Sequence, residues 1–234
     1  MTDHAPQALA AIHQRIENAA RQSGRASTSV KLLAVSKTFP ADDIRPFYAA
    51  GQRAFGENYV QEFAGKVEAL ADLTGIEWHF IGPLQRNKTR IVAEHAHWVH
   101  AIDRLLIAER LSQQRPADLP QLNVCIQVNV SGEDSKSGVS PAEAPALAQA
   151  VAALPGLTLR GLMCIPEPTP DLAVLAGQFE QMQALLLHLN SQGLMLDTLS
   201  MGMSADLEQA VAHGATLVRI GTALFGARPA KTTA

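Results

Sequence analysis

A single (β/α)8 barrel of the TIM type, preceded by one extra helix, is the α/β fold that this sequence predicts. Three observations lead to it. Eight short apolar runs alternate with helical stretches, which is the order of parallel βαβ units. The 234 residues suit a barrel of about 250 and leave no room for a second domain, so residues 1–234 read as one domain. Polar residues also collect just past the strand ends, where such barrels carry their chemistry: Lys37, Asn58, His79, Asp103, Asn129, Ser204 and Arg219. A doubly wound open sheet is the alternative, because alternation alone does not say that the sheet closes.

The elements follow in order. Leu9, Ile12, Ile16 and Ala19 fall at helical spacing, and Gly24 closes that helix. Leu32 to Val35 is an apolar run suited to a strand buried on both faces, and it ends on Ser36-Lys37 before Pro40. Asp43 to Ala50 reads as a helix, with Pro46 in its first turn and Gly51 as the stop. Strand two leads from Gln52 into Gly56-Glu57-Asn58, and Gln61 to Ala71 is helical. Glu77 to Pro83 is strand three, with Gly82-Pro83 as terminator and Asn87 to Glu94 as its helix. Trp98 to Asp103 and Arg104 to Leu111 form the fourth pair. Asn123 to Val130 is a strongly β-forming fifth strand; the polar loop Ser131 to Gly138 and a helix from Pro141 to Leu154 follow. Leu159 to Pro166 is strand six, Phe179 to Asn190 lies in its helix, and Thr198 to Met201 and Ala215 to Ile220 are strands seven and eight.

Composition narrows the function classes. A formal charge of -3 gives no electrostatic footprint for nucleic acid or an anionic membrane surface. No run approaches the roughly 18 apolar residues of a membrane span, and Met1 to Pro6 lacks the basic start of a signal peptide. Cys125 and Cys164 sit in apolar runs without Cys-x-x-Cys spacing, as small core residues in a reducing compartment do. A cytoplasmic monomer with neither nucleic acid nor membrane as partner is the expectation. There is no Gly-x-Ser-x-Gly elbow, no Ser-x-x-Lys and no P-loop. His95, His97 and His100 have only Asp103 for company and read as a solvated connection rather than a metal site. The basic run Arg86 to Arg90 reads as a solvated helix start, with attraction of an anion as the alternative.

Lys37 stands at the lip of an apolar strand, which suits an amine held in a pocket or merely a strand's exit into solvent. Leu199-Ser200-Met201-Gly202-Met203-Ser204 passes through glycine into a helix that Ser204 could cap, an anion site or a plain capped helix. Gly221 permits close backbone approach and Thr222 adds a hydroxyl, so two candidate phosphate loops stand side by side after strands seven and eight. Arg219 interrupts Leu217-Val218-Arg219-Ile220, and alternation puts it on the face of Leu217 and Gly221. It must meet either a ligand atom or an acid such as Glu57 or Asp103. An amine, two phosphate loops and an arginine between them describe a pocket for an aldehyde-bearing phosphorylated ring.

Longer runs carry a specific resemblance. Ala34-Val35-Ser36-Lys37, Phe55-Gly56-Glu57-Asn58-Tyr59-Val60-Gln61-Glu62, Trp78-His79-Phe80-Ile81-Gly82-Pro83, Ser135-Lys136-Ser137-Gly138, Arg160-Gly161-Leu162-Met163, Leu199 to Ser204 and Val218 to Gly226 together resemble the pyridoxal phosphate homeostasis family (YggS/PROSC) over nearly the whole chain. The resemblance implies a barrel of the alanine racemase N-terminal type that binds pyridoxal 5'-phosphate as a Schiff base, an internal aldimine, on Lys37. It implies phosphate contacts from Ser204, Gly221 and Thr222, with Arg219 at the pyridine nitrogen, and Asn58 at the end of strand two is a further expected cofactor-binding residue. The expected role is to hold and release the cofactor, with apo-enzymes as acceptors and without amino-acid turnover. An amino-acid racemase on the same barrel is the alternative. It is disfavoured because the sequence ends at Ala234, before any added β-domain, and leaves Tyr59 as the one stand-in for an opposing tyrosine.

Overall fold

The computed structural model describes residues 4–132 and 137–227. Eight parallel strands pair in sequence order and close into a barrel, which excludes the open sheet. The strands are β1 (Lys31–Val35), β2 (Ala54–Glu57), β3 (Glu77–Phe80), β4 (Trp98–Ile102), β5 (Leu122–Gln127), β6 (Leu157–Met163), β7 (Thr198–Ser200) and β8 (Leu217–Ile220). Closure is made by β1 against β8, in the register Lys31 with Leu217 through Ala34 with Ile220.

The crossover helices form the outer layer: α2 (Ile44–Ala49), α3 (Val60–Ala69), α4 (Thr89–His95), α5 (Leu105–Gln114), α6 (Ala144–Ala152), α7 (Leu172–Ser191), α8 (Leu207–Ala212) and, after β8, α9 (Thr222–Phe225). Between the two layers lies the main core, in which Phe55, Phe63, Phe80 and Phe179 are fully buried. The extra helix α1 (His4–Gln22) buries Leu9, Ile12, Ile16 and Ala20 against this layer. Its polar side chains reach the segments that follow β7 and β8. Arg15 donates to both carboxylate oxygens of Glu208, at 2.7 and 2.9 Å, and to the Ser204 carbonyl at 3.0 Å. The His4 ring lies 2.9 Å from the Leu224 carbonyl.

Several boundaries differ from expectation, each for a local reason. The chain leaves the sheet after Phe80, Gln127 and Met163, earlier than the apolar runs suggest, because the following residues turn to build the barrel mouth. Pro40 is followed by a 3-10 turn at Ala41–Asp43 before α2 begins. Ser204 does not cap α8. Asp206 occupies that position, and its carboxylate accepts the Met203 N–H at 2.5 Å, so Ser204 lies in the turn ahead of the helix. His95 and His97 do face solvent, but His100 is fully buried, because β4 turns it to the same side as Trp98. Residues Glu133 to Lys136, and with them the question of Lys136, lie outside the described residues. No helix among the described residues is long and apolar enough to cross a membrane.

Candidate functional site

At the C-terminal mouth of the barrel a cleft of about 250 Å³ is lined by Lys37, Asn58, Ser204, Arg219, Gly221 and Thr222. Val35, Ile81 and Met203 supply apolar walls. Four of the seven strand-end residues singled out in the sequence therefore meet. Three do not. His79 is buried inside the barrel, Asp103 contacts Arg104 at 3.1 Å, and Asn129 accepts from Ser131 and Gly132 to shape the loop after β5. The run Arg86 to Arg90 leads into the first residues of α4 and is exposed except for Thr89, and Arg90 lies 3.7 Å from Glu94.

Lys37 is half-buried and projects from a braced turn. Its neighbour Thr38 has φ of 70°, the left-handed region that a β-branched residue seldom enters. Glu62 on α3 accepts the Thr38 N–H at 2.7 Å and holds the backbone there. Beneath the turn, Lys66 donates to Glu57 at 2.6 Å and to the Ser36 carbonyl at 2.7 Å, while the Ser36 hydroxyl donates to the same Glu57 oxygen at 2.6 Å. Burial pushes the Glu57 carboxyl above its ordinary range, and the Lys66 ammonium and Ser36 hydroxyl pull it back. This bracing escaped the sequence reading. Its one signal is the spacing of Phe63 and Lys66, which share a face of α3 and are both buried.

Arg219 is 4 % exposed, yet it forms no ion pair among the described residues. Glu57 is taken by Lys66 and Asp103 by Arg104. Instead one guanidinium nitrogen, Nη1, donates to the Ser200 carbonyl at 2.5 Å and hydroxyl at 2.9 Å, and Nη2 donates to the Cys164 carbonyl at 2.8 Å. Burial lowers the guanidinium from its ordinary pKa, and Cys164 and Asp206 oppose that. A guanidinium so fixed remains charged and is a donor only.

Further features suit a phosphorylated, polar ligand. Asn58 Oδ1 is buried without a partner at the cleft wall, a group whose desolvation a ligand donor would offset. A Cβ on Gly221 would stand 3.2 Å from the Val35 carbonyl, a tight contact that glycine avoids at the cleft wall. Tyr59, by contrast, is 51 % exposed and lines a neighbouring hollow with Gln61 and Lys88. Among the described residues no group of three or more His, Cys, Asp or Glu is placed to hold a metal ion.

Fold and cleft together define a barrel of the alanine racemase class, and the family model "Alanine racemase, N-terminal domain" matches residues 8–229. Pyridoxal phosphate homeostasis proteins are similar along almost the full length. That of Pseudomonas aeruginosa is 62% identical over 220 residues, 94% of each chain, and that of Escherichia coli is 55% identical over 225 residues, 94% of this chain and 95% of its own. The chain belongs to the pyridoxal phosphate homeostasis protein family. The structure of PipY from Synechococcus elongatus with PLP bound superposes with a TM-score of 0.79 at 40% identity, covering 91% of this chain and all of that one. Alanine racemase from Corynebacterium glutamicum, at 19% identity and a TM-score of 0.66, shares the fold; this chain covers 63% of it.

Proposed function

We propose that the cleft binds pyridoxal 5'-phosphate at Lys37 and that the protein, as a monomeric single-domain carrier in the cytoplasm, holds the cofactor and releases it to apo-enzymes. The observation that carries this reading is the convergence of one amine, one donor-only guanidinium and the Ser204 and Thr222 hydroxyls on a single cleft. When bound, pyridoxal phosphate supplies an aldehyde that condenses with a primary amine. Lys37 presents that amine from a turn fixed by Glu62, so its direction is set before any ligand arrives. Ser204 and Thr222 offer hydroxyl donors to a phosphate, and Gly221 lets the phosphate oxygens approach the backbone. Arg219 cannot surrender a proton, so it keeps a facing ring nitrogen unprotonated and weakens the ring as an electron sink.

These properties favour holding over turnover. Racemisation needs an acid or base on each face of the substrate carbon, and Lys37 serves only one. Of the two tyrosines, Tyr48 donates to the Thr74 carbonyl at 2.6 Å and Tyr59 belongs to the neighbouring hollow. Ser204 is half-buried and Thr222 exposed, so the mouth is wet, which suits exchange better than protection of a carbanion.

The test is borohydride reduction of the loaded protein followed by peptide mapping. Lys37 is expected to carry the label and Lys37→Ala to lose the visible absorbance; a label on another lysine overturns the assignment. Incubation with a cofactor-depleted enzyme should restore that enzyme's activity, whereas repeated Lys37-dependent turnover of L-alanine would replace the carrier by a racemase.

A further inference from the structure

The barrel interior holds a string of polar side chains that the cleft leaves unexplained. Glu77 Oε1 lies 2.8 Å from His79 Nε2, His79 Nδ1 lies 2.9 Å from His100 Nε2, and His100 Nδ1 lies 2.8 Å from Ser200 Oγ. Ser200 Oγ in turn accepts from Arg219. The string thus draws on β3, β4, β7 and β8 and runs from the cleft to the opposite face of the barrel. His79, His100 and Ser200 are at most 1 % exposed, and only Glu77 reaches water, in a hollow of about 180 Å³ that it shares with Lys31, Arg160 and Asp197.

The two ends determine the direction of every bond between them. Arg219 only donates, and an ionised Glu77 only accepts. Burial lowers both imidazoles from their ordinary pKa, His100 the further; the Glu77 carboxylate opposes this at His79, while His97 and Lys31 reinforce it there and His79 and Arg219 reinforce it at His100. With both rings neutral one arrangement satisfies all four contacts. The Ser200 hydroxyl donates to His100 Nδ1, His100 donates its Nε2–H to His79 Nδ1, and His79 donates its Nε2–H to Glu77. The reverse arrangement would set a bare His79 nitrogen against a carboxylate.

We propose that His79 and His100 are positioning residues: with Ser200 they form a one-way hydrogen-bond chain, anchored on Glu77 at the far face, that fixes where the Arg219 guanidinium points in the cleft. With Nη1 doubly engaged and Nη2 singly, the remaining N–H groups are the ones left for the ligand. That a ligand ring nitrogen receives them rests on the reading of the cleft given above.

Two measurements on the full chain separate this proposal from that reading. In the ligand-free protein with isotope-labelled histidine, the ring-nitrogen chemical shifts should report both His79 and His100 as neutral Nε2–H tautomers at neutral pH. Glu77→Gln, whose amide can donate as well as accept, should mix the tautomers of His79. In the loaded protein, Ser200→Ala should weaken pyridoxal phosphate binding about tenfold, or about 1.4 kcal/mol, and shift the visible absorption band. Glu77→Gln should shift the band in the same direction from the other end of the barrel, which a merely structural role would not do. An imidazolium or Nδ1–H tautomer at either histidine, or wild-type affinity and band in both variants, overturns the proposal. Failure of the wild-type protein to take up pyridoxal phosphate overturns the functional reading instead, and the nitrogen shifts then decide the chain.

Discussion

Lys66 is the residue on which the footing of Lys37 depends. Removing its ammonium leaves the Glu57 carboxylate buried at 0 % exposure, so Lys66→Met should cost about 3–5 kcal/mol in urea denaturation. Replacing Glu57 by Met as well should recover more than half of that loss; a double variant as unstable as the single would show that packing, not the uncompensated charge, is responsible. The buried imidazoles set a pH dependence. His79 and His100 titrate below their unfolded value of about 6.5, so the native state binds fewer protons than the unfolded chain. Stability is complete above that value and falls as the pH drops through it toward the native pKa values, by up to about 1.4 kcal/mol per pH unit for each ring. Denaturation midpoints across pH 7 to 5 (roughly the window set by the histidine pKa) should show it, and His79→Gln should flatten the slope. Lys37, Asn58 and Arg219 were legible from strand-end position, which also picked out His79, Asp103 and Asn129 outside the cleft. Ser204, Gly221 and Thr222 were legible from the glycine-containing passages into the helices after strands seven and eight. The Ser36–Glu57–Lys66 cluster was not, since Lys66 meets a carbonyl 30 positions away and nothing local marks that contact. His100 was misread for a related reason: one step of register decides between solvent and the barrel interior.

At the scale of elements, α1 is more than an outer decoration. Through Arg15 and His4 it grips the turns that carry Ser204 and Thr222, so the geometry of the hydroxyl pair depends on a helix far from it in sequence. The Arg15–Glu208 pair is over a third exposed and contributes little to stability. Arg15→Ala should therefore leave the melting temperature within about 2 °C while weakening cofactor binding several-fold; an unchanged affinity would reduce α1 to packing. The turn itself needs glycine at 202, where φ is 94° and a Cβ would lie 2.5 Å from that of Ala210. Gly202→Ala should destabilise by about 2 kcal/mol or more and shift the turn. All eight strands and nearly all the helices could be read from apolar periodicity. Their ends could not, because the residues that leave the sheet at the mouth are as apolar as those within it, as Ile81 and Ile165 show.

For the molecule as a whole, closure of β1 on β8 brings residue 37 beside residue 221, and a site contributed by both ends of the chain becomes one cleft. Alternating pattern and length made the barrel legible; the closure itself depends on long-range pairing that no local signal carries. Trp98 stacks on His79, with ring centroids 5.5 Å apart and planes within 6°, and the Arg160 guanidinium stands 5.0 Å from its ring centroid. The indole is thus fixed inside the same barrel as the cleft, in contact with the chain that leads to Arg219. Trp78→Phe leaves it as the sole tryptophan. Its emission should then fall as pyridoxal phosphate fills the cleft and absorbs the emitted energy, and fall separately when acid charges His79 against its face. The barrel carries an intrinsic fluorescent gauge of its own occupancy, readable without any attached label.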